Sequence, residues 1–576
     1  FRLMLLASPV RTLTLALALA VSIAPSAQDL PAQLDAFLMA THEAGRFDGA
    51  VVVTDGGEVV YERGVGEANR SWGIPNAPDT RFRIASLTKQ FTAALVLQLA
   101  EAGLLNLDAP ISRTLPDYPA EQGRVTVHQL LSQTSGIPEH LGLPGFDVMK
   151  RNPVAPDSFL AVFSGLPLDF EPSSRFAYSN SNYILLGVLI EHVTGQSYAD
   201  VLRERLLVPL GLTDTGYDDG ATVIERMASG YTRVGFDVEH ATYVDPSVPY
   251  AAGMMYSTAR DLVRWTQALH RGEPFERPET LERMTTPVHD DYAYGLGVSM
   301  LPVGPTPVRA IGHSGGIFGF STFLLHFPDT DRTVAVLANT EDSTQPVAFA
   351  LARILYGQAV EAPKRPAGPA LAAVLDAEGV DAAVARYREI RETEGETYDL
   401  GEDQLNTLGY LALGRGDVAA AVRLFELNVE MYPEAPNPYD SLGEAYAVAG
   451  DRERAIANYQ RALDLDPGSD SARDALARLG VDAEAAVFEV SDAVLRGYIG
   501  QYALQPGMTV DVRLEDGALV AEATGQPAFE MVPVTATRFS LPAVGAQVTF
   551  TVGEDGRAHA LTLHGGAQDM MGPRIE

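Results

Sequence analysis

The sequence predicts an α+β domain followed by an α-helical repeat segment and a small all-β barrel. Strand and helix patterns mix over residues 30–360, a helical period recurs over residues 371–482, and apolar and polar residues alternate over residues 487–576. The chain has 576 residues, more than the roughly 250–300 residues at which a single hydrophobic core stops growing. Several domains are therefore expected.

Within residues 30–360, the pattern of apolar residues predicts the elements in turn. "FDGAVVVTDGGEVVYERGVG" predicts a hairpin, because two β-rich runs flank a Gly-Gly turn. "SLTKQFTAALVLQLAEAG" predicts a helix that begins near Ser86 and ends at Gly103. "VTVHQLLSQTSGIP" and "NYILLGVLIEHVTG" predict two further helices, and the second ends at Gly195. "VRAIGHSGGIFGFSTFLLHFP" and "TVAVLAN" predict strands near the end of this domain.

A Pro-rich stretch, "EAPKRPAGPA", predicts a linker over residues 361–370. After it, residues recur with a period of about 34, which is typical of tetratricopeptide helix pairs. The matched positions are Leu408 with Leu442, Gly409 with Gly443, Ala421 with Ala455, Phe425 with Tyr459 and Pro433 with Pro467. Two repeats are too few for independent stability, so we expect them to pack on a neighbouring domain. They either bind a protein partner or space the flanking domains.

The last segment, residues 487–576, is predicted to be β. "MTVDVRLEDGALVAEA" and "VTFTVGEDGRAHALTLH" alternate apolar and polar residues around Asp-Gly turns, the pattern of β-hairpins. Several such hairpins in a short segment indicate a small barrel.

Composition excludes several classes of function. The formal net charge is -33 and the pI is about 4.6, so the chain repels nucleic acid and anionic membranes. Cysteine is absent, which excludes disulfides, thiol catalysis and Cys-ligated metals. The eleven histidines form no closely spaced pair typical of zinc sites. We therefore expect no metal or organic cofactor.

Residues 1–27 have the pattern of a signal peptide. Arg2 and Arg11 precede the short apolar run "TLTLALALAVSIA", and small residues in "APSAQDL" offer a cleavage site. No later run is long and apolar enough for a membrane span. The prediction is a periplasmic or secreted protein that is not an integral membrane protein once the signal is removed.

The stretch "IGHSGGIFGF" raises the question of which serine is the nucleophile. It matches G-x-S-x-G, the nucleophile elbow of α/β-hydrolases, with Ser314 at its centre. An elbow serine stands between a strand and a helix, but "IFGFSTFLLHF" after Ser314 predicts a second strand. No suitable Asp or Glu followed by His comes later in the domain. Ser314 is therefore predicted to contact substrate rather than to attack it.

Ser86 and Lys89 are the better candidates. They form S-x-x-K at the start of a predicted helix, and a spacing of three residues places both on one helix face. A buried lysine can lose its proton near neutral pH and activate a serine, while free N–H groups at the helix start favour developing negative charge. The alternative is a capping serine beside a surface lysine.

Two further stretches complete the predicted site. In "RFAYSNSNY", Tyr178 and Asn180 lie two residues apart in an extended or looped stretch, where both can face one cleft. Tyr178 can move a proton and Asn180 can orient a substrate amide or the lysine. The alternative is a turn with a packed tyrosine.

His313, Ser314 and Gly315 are predicted to line the cleft from an edge strand, with the glycine allowing close backbone approach. The backbone N–H groups of Ser86 and Gly316 are predicted to form the oxyanion hole.

In this order, S-x-x-K, Y-x-N and H-x-G resemble the serine β-lactamase and penicillin-binding protein group, and most closely the class C β-lactamase-like serine hydrolases. The likeness covers about residues 35–358. It implies an antiparallel sheet flanked by helices, with a helical lobe beside the cleft. The C-terminal segment, with "LRGYIGQYAL", resembles the lipocalin-like domain found in some of these hydrolases.

The resemblance implies a role for each matched residue. Ser86 matches the acylated serine, Lys89 the general base and Tyr178 the proton shuttle. Asn180 matches the residue that orients substrate.

His313, Ser314 and Gly315 occupy the place of a K-T-G triplet, followed by Gly316 as the second oxyanion donor. True class C β-lactamases have lysine where this chain has His313. Histidine is mostly neutral at pH 7, so efficient β-lactam hydrolysis is not expected.

The predicted function is an exported serine hydrolase that forms an acyl-enzyme on an ester or amide, as an esterase or a D-amino-acid-type peptidase. Its substrate is a small ester, peptide or β-lactam-like molecule. One alternative is weak β-lactamase or penicillin-binding activity. Another is a catalytically inactive protein that binds a peptide or partner through residues 371–482.

Overall fold

A computed structural model describes residues 30–481 and 490–575, apart from short gaps in the second range at 506–507, 516, 525, 527, 534–535, 542–543, 545, 554–555 and 565–569. The signal-peptide prediction for residues 1–27 lies outside the described residues. The chain divides into two compact units between Pro363 and Lys364. Within the described residues, no helix has the length and apolar character needed to cross a membrane.

The first unit is built on an antiparallel sheet. The strands of the unit are β1 (Gly49–Asp55), β2 (Glu58–Val65), β3 (Glu67–Asn69), β4 (Ile74–Pro75), β5 (Phe82–Arg83), β6 (Gly216–Tyr217), β7 (Tyr231–Val234), β8 (Asp237–His240), β9 (Met255–Ser257), β10 (Gly297–Leu301), β11 (Val308–Ile317), β12 (Phe320–Phe327) and β13 (Arg332–Ala338). Six of them form the main sheet, in the order β10-β11-β12-β13-β1-β2.

The predicted hairpin over "FDGAVVVTDGGEVVYERGVG" is the β1–β2 pair. Gly56 and Gly57 both have positive φ, at 57° and 82°. A two-residue turn of this hand fits the twist of antiparallel strands, and glycine adopts it without a Cβ clash.

Helices cover both faces of the sheet. They are α1 (Leu30–Glu43), α2 (Thr88–Glu101), α3 (Ala120–Gly123), α4 (Val127–Leu131), α5 (Phe146–Met149), α6 (Pro156–Leu160), α7 (Asn180–Thr194), α8 (Tyr198–Leu202), α9 (Tyr250–Gly253), α10 (Ala259–His270), α11 (Pro278–Thr285) and α12 (Gln345–Leu355). Short 3₁₀ turns, including Ala85–Leu87 and His140–Gly142, join some of them.

The sheet separates two hydrophobic cores because strand residues alternate between faces. On β1, Ala50 and Val52 pack with the core that contains α2, α7 and α10, whereas Val51 and Val53 pack with α1 and α12. Both faces of the central strands are thus buried, which explains the continuous apolar run "AVVV". The same alternation decides which residues of β11 face the helical lobe between β4 and β9.

In the second unit, helices precede a barrel. The helices are α13 (Gly368–Glu378), α14 (Val380–Thr393), α15 (Glu402–Gly414), α16 (Val418–Met431), α17 (Pro436–Val448), α18 (Arg452–Leu465), α19 (Asp470–Arg478) and α20 (Asp492–Tyr498). The strands are β14 (Arg365–Pro366), β15 (Tyr398–Asp399), β16 (Gly500–Gln505), β17 (Met508–Glu515), β18 (Ala518–Ala523), β19 (Ala528–Pro533), β20 (Arg538–Leu541), β21 (Ala546–Val552), β22 (Ala558–His564) and β23 (Met570–Pro573).

The predicted helical repeats are the pairs α15–α16 and α17–α18. The matched small and aromatic positions pack against each other in both: a Cβ on Gly409 would lie 2.4 Å from the Phe425 ring, and one on Gly443 would lie 2.9 Å from the Tyr459 ring. Close helix contact therefore requires the glycine in each pair.

The C-terminal strands β16 to β23 form an eight-stranded antiparallel sheet in sequence order. A bridge between Tyr502 and Arg574 links its first strand to the last residues of the described chain, which nearly closes the barrel. Tyr498, Tyr502, Phe539 and Phe550 fill its interior. The predicted architecture is thus confirmed: an antiparallel sheet flanked by helices, a helical repeat region and a small β barrel.

Candidate active site

Ser86 lies in the 3₁₀ turn Ala85–Leu87, immediately before α2. The residue before it, Ala85, has a φ of 48°, in the left-handed region that non-glycine residues rarely adopt. Such backbone strain persists only where surrounding structure holds it, and it is frequent at active sites. Helix α2 is buried on all sides, so the turn that carries Ser86 is anchored in the core.

Gly315 allows strand β11 to approach this turn. A Cβ at position 315 would lie 2.4 Å from the carbonyl oxygen of Ile84 and 2.3 Å from Oγ1 of Thr322. The Thr322 hydroxyl donates to that same Ile84 carbonyl at 3.0 Å. Only glycine fits between the strand and the serine turn.

The amine of Lys89 is fully buried and points at Ser86. Its Nζ lies 3.0 Å from Ser86 Oγ, 2.8 Å from Asn180 Oδ1 and 2.8 Å from the carbonyl oxygen of Ala252. Burial lowers the pKa of Lys89 to about 7, although the nearby Glu139 carboxylate opposes this shift.

The two oxygen acceptors define what neutral Lys89 can do. Amide and carbonyl oxygens only accept hydrogen bonds, so a neutral amine gives its two N–H groups to Asn180 and Ala252. Its lone pair then faces Ser86 Oγ. This arrangement suits an amine that takes the proton of the serine hydroxyl.

Glu139 fixes the orientation of Asn180. Its Oε2 accepts hydrogen bonds from the Asn180 backbone N–H and, at 3.2 Å, from Asn180 Nδ2. Its Oε1 accepts from the Leu141 backbone N–H at 3.0 Å. Because Nδ2 faces Glu139, the Oδ1 of Asn180 faces Lys89. Burial raises the pKa of the Glu139 carboxyl, and these hydrogen bonds counteract the rise.

Tyr178 and Asn180 contact Lys89 from the junction between a loop and helix α7. Tyr178 lies in a loop, whereas Asn180 is the first residue of α7. The Lys89 Nζ is 4.9 Å from the centre of the Tyr178 ring. Burial raises the pKa of the Tyr178 hydroxyl, and a hydrogen bond with Ser86 partly offsets the rise.

Gln133 holds the Tyr178 loop on both sides. Its backbone carbonyl accepts from the Ala177 N–H at 3.0 Å, and its Oε1 accepts from the Ser179 N–H at 3.1 Å. Gln133 has a φ of 60°, an uncommon conformation that lets its backbone and side chain reach the same loop.

Strand β11 carries the remaining predicted residues. Contrary to the expectation from sequence, it is not an edge strand. It pairs with β10 and β12. The pairing with β10 ends at Gly312, so residues 313–317 have a strand neighbour on one side only. The expectation of an accessible strand therefore applies to this stretch alone.

The side chain of Ser314 is exposed, and it lies on the opposite face of the sheet from His313 and Gly315. Ile311, two residues before His313, packs with the core of α2, whereas Ala310 packs with the core of α12. After a turn at Phe318–Gly319 the chain continues in β12. Ser314 is thus inside a hairpin, which excludes the strand–helix elbow.

His313 lies among aromatic rings. Its Nε2 is 3.2 Å from the hydroxyl of Tyr292, and its Nδ1 is 2.5 Å from the carbonyl oxygen of Ser314. Burial and the charge of Lys89 lower the pKa of His313 to about 4, so the imidazole is neutral at pH 7.

The predicted site residues line two cavities. The first, of about 500 Å³, is lined by Ser86, Asn180 and Gly316 together with mostly apolar side chains. Those side chains include Leu141, Phe146, Val244, Val248, Ile317, Phe318 and Phe320. The second cavity, of about 340 Å³, is lined by Tyr178, His313 and Ser314, with Asp291, Tyr292, Phe323 and Phe349.

The structure therefore brings Ser86, Lys89, Tyr178 and Asn180 together and sets Gly315 against the serine turn. Sequence reasoning missed Glu139, Gln133, Tyr292 and the Ala252 carbonyl. Glu139 directly follows the quoted stretch "VTVHQLLSQTSGIP", but a single acidic residue in a loop carries no signal. The Ala252 contact uses backbone, which no side-chain pattern reveals.

Comparison with known families finds three matches. A family described as Beta-lactamase matches residues 33–359. A family described as Tetratricopeptide repeat matches residues 436–469. A domain of unknown function (DUF3471) matches residues 485–574.

Among curated relatives, Penicillin-binding protein 4* of Bacillus subtilis (strain 168) is 33% identical over 349 residues, which cover 56% of this chain and 76% of that protein. Among solved structures, D-amino acid amidase from Ochrobactrum anthropi SV3, complexed with L-phenylalanine, is 29% identical with a TM-score of 0.50. That match covers 57% of this chain and 98% of the amidase. EstCE1, a hydrolase with promiscuous acyltransferase activity, shares the fold, with 21% identity, a TM-score of 0.51, and coverage of 57% and 99%.

Proposed function

Because this chain belongs to the Beta-lactamase family and is a serine hydrolase of that family, we propose that it hydrolyses esters or amides through an acyl-enzyme on Ser86. The observation that carries this proposal is the buried Lys89 amine, 3.0 Å from the Ser86 hydroxyl. With a pKa of about 7, roughly half of the amines are neutral at pH 7 and can accept a proton.

In the first step, the Ser86 hydroxyl gives its proton to the neutral amine of Lys89. The Oγ forms a bond to the substrate carbonyl carbon, and the carbonyl oxygen takes the electron pair. Ser86 and Gly316 both border the first cavity, and their backbone N–H groups stabilise this oxyanion.

In the second step, the tetrahedral intermediate collapses and the bond to the leaving oxygen or nitrogen breaks. Tyr178 donates its hydroxyl proton to the leaving group and recovers a proton from Lys89, whose Nζ lies 4.9 Å from the centre of the tyrosine ring. A water molecule then attacks the acyl carbon and gives one proton to the neutral Lys89 amine, and Ser86 Oγ leaves with the electron pair of the ester bond and takes that proton from Lys89, 3.0 Å away. The net reaction consumes one water and yields an acid and an alcohol or amine.

The first cavity suits an apolar acyl group. Its mostly apolar lining and volume of about 500 Å³ match the size of a small ligand. The likeness to the D-amino acid amidase supports amides of D-amino acids as one substrate class. Simple esters, which the same acyl transfer to Ser86 would cleave, are the other. The penicillin-binding relative keeps weak penicillin binding as a second candidate, and nitrocefin hydrolysis measures it directly.

Export and partner binding are further parts of the proposal. The signal-like residues 1–27 support a periplasmic or secreted location. The tetratricopeptide match supports a protein partner for residues 371–482. If the repeats alone were the working part, a pull-down would depend on them and remain unchanged in Ser86→Ala.

The proposal is tested by labelling with a fluorophosphonate, followed by intact-mass measurement and peptide mapping. We expect one adduct on the peptide that contains Ser86, absent in Ser86→Ala and retained in Ser314→Ala. Ser86→Ala should also lose hydrolysis of p-nitrophenyl esters and D-amino acid amides. An adduct on Ser314, or full activity in Ser86→Ala, would overturn the proposal.

A further inference from the structure

We propose that the second cavity receives the leaving group and that Asp291 makes it select against leaving groups that carry a carboxylate. The preferred leaving group is apolar with a neutral or positively charged polar end. This inference rests on the proposed function, because it assigns one of the two cavities to each half of the substrate that the proposed reaction separates.

The position of Tyr178 separates the two halves. Ser86, Asn180 and Gly316 line the first cavity, whereas Tyr178 and His313 line the second. The leaving atom must lie within hydrogen-bonding distance of the hydroxyl that protonates it. The leaving group therefore occupies the cavity that Tyr178 lines, and the acyl group occupies the first.

The charge of the second cavity is negative. Asp291 is exposed at this cavity, and none of the described residues that line it is Lys or Arg. His313 is neutral above its pKa of about 4. Arg309, on the same strand, donates to the Thr285 carbonyl at 3.3 Å and does not line the cavity.

The first cavity adds no compensating cation. Its described lining contains Glu341 but neither Lys nor Arg. The buried amine of Lys89 lies 3.0 Å from Ser86 Oγ, but it is already committed to Asn180 and Ala252. A substrate carboxylate near the scissile bond thus meets like charge without a counter-ion.

Apolar side chains complete the second cavity. Val298, Leu325, Phe323 and Phe349 line it with the ring of Tyr292. Such a surface binds an aromatic or alkyl group through burial of apolar area. Asp291 then meets the polar end of that group at the opening.

Three esters with the same butyryl group test this selectivity. Their leaving phenols differ only in the para substituent: 4-hydroxyphenylacetate carries a carboxylate, 4-hydroxyphenylacetamide is neutral, and tyramine carries an ammonium. The kcat/KM of each is measured at pH 7.5 and 0.15 M salt, where charges beyond about 8 Å are largely screened. We expect the carboxylate ester to be hydrolysed at least about threefold more slowly than the amide ester, given the size of exposed charge interactions.

The variant Asp291→Asn should reduce the preference for the amide ester over the carboxylate ester by about two- to fivefold, and Asp291→Lys should reverse this preference. The matched control is Asp290→Asn, because Asp290 carries the same charge on the neighbouring residue and does not line the cavity. Its preference should equal that of the unchanged protein. Fluorescence of Trp72 and Trp265 checks that each variant is folded.

Equal rates on all three esters in the unchanged protein would overturn the inference. So would an unchanged preference in both Asp291 variants while the neutral ester is still hydrolysed. Loss of hydrolysis of all three esters together with loss of fluorophosphonate labelling at Ser86 would overturn the proposed function, and this inference with it.

Discussion

The Nζ of Lys89 lies 3.0 Å from the Oγ of Ser86, and the other two hydrogen-bond partners of this amine are oxygens that only accept hydrogen bonds. The pair is therefore built so that the neutral lysine offers its lone pair to the serine. Its chemistry depends on the pKa of one buried amine, and this makes the pH profile the most direct measurement.

We expect kcat/KM for a neutral ester to rise with pH through a pKa near 7. Burial lowers the Lys89 pKa from 10.5 to about 7, and the proton acceptor is the deprotonated form. Activity is therefore low below pH 6 and reaches a plateau above pH 8. An acidic limb centred near pH 10 would show that Lys89 has an ordinary pKa and would contradict this assignment.

Glu139→Gln should lower kcat/KM by about 10- to 100-fold, because a glutamine cannot accept hydrogen bonds with both of its terminal atoms and Asn180 loses its fixed orientation. The Glu139 carboxylate also raises the pKa of Lys89, so its removal should shift the limb near 7 to lower pH. If Glu139 had a purely structural role, the substitution would leave the pKa near 7 in the pH profile of kcat/KM unchanged. The exposed Glu121 provides the control variant Glu121→Gln, which should change neither quantity.

Gly315→Ala should lower kcat by about 100-fold or more while the protein stays folded. The added methyl would lie 2.4 Å from the Ile84 carbonyl oxygen, so the serine turn or the strand must move, and displacements of about 1 Å can cost this much activity. Gly165→Ala is the control for the added methyl, because its Cβ would meet no atom within 4 Å and the residue lines neither cavity. Equal activities of the two variants would contradict the close-packing argument.

His313→Lys should increase the relative kcat/KM for carboxylate-bearing substrates by about tenfold, because it places a cation where a neutral imidazole now lies. Nitrocefin and the 4-hydroxyphenylacetate ester provide the measurement. His313→Gln removes the imidazole without adding charge and should not produce this gain. If both variants gained equally, charge would not be the cause.

Acidification should destabilise the first unit through His326. Burial lowers the pKa of His326 to about 4, against an ordinary value near 6.5, so between these values the unfolded chain binds more protons than the folded one. Stability is therefore present above pH 6.5 and is lost as the pH falls towards 4, by about 1–2 kcal/mol between pH 7 and pH 5 for this one residue. The partly buried His270 ring, stacked 4.2 Å from His326, adds to the loss.

The measurement is denaturant unfolding followed by tryptophan fluorescence at several pH values. Both tryptophans of the chain, Trp72 and Trp265, lie in the first unit, so the signal reports that unit alone. His326→Leu should show a smaller acid loss than the unchanged protein, whereas His192→Gln, at an exposed position, should not. Parallel pH profiles for all three would contradict the prediction.

Sequence reasoning predicted the part of the site that depends on spacing along one element. Ser86 and Lys89 meet because three residues make nearly one helical turn, and the repeat helices follow from a period that the sequence displays. The division into an α+β unit, helical repeats and a β barrel follows from hydrophobic patterns that change along the chain.

The remainder depends on contacts between elements that are distant in sequence. Glu139 reaches Asn180 across 41 residues, and the Ala252 carbonyl reaches Lys89 across 163, and no local pattern encodes either distance. Strand β11 was expected at an edge because the short strand β10, which pairs with it only as far as Gly312, could not be predicted. The face on which Ser314 lies follows from the register of β11, which depends on packing with both cores.

Ala85 has a φ of 48° and lies immediately before the nucleophile. A substitution at this position would change thermostability and turnover in opposite directions. A glycine there would relieve about 1 kcal/mol of backbone strain, and it would raise the melting temperature to the extent that this relief exceeds the entropy that glycine adds to the unfolded chain. The same change would let the turn that carries Ser86 sample several conformations, so each gain in heat resistance at this position comes with a less well-ordered nucleophile.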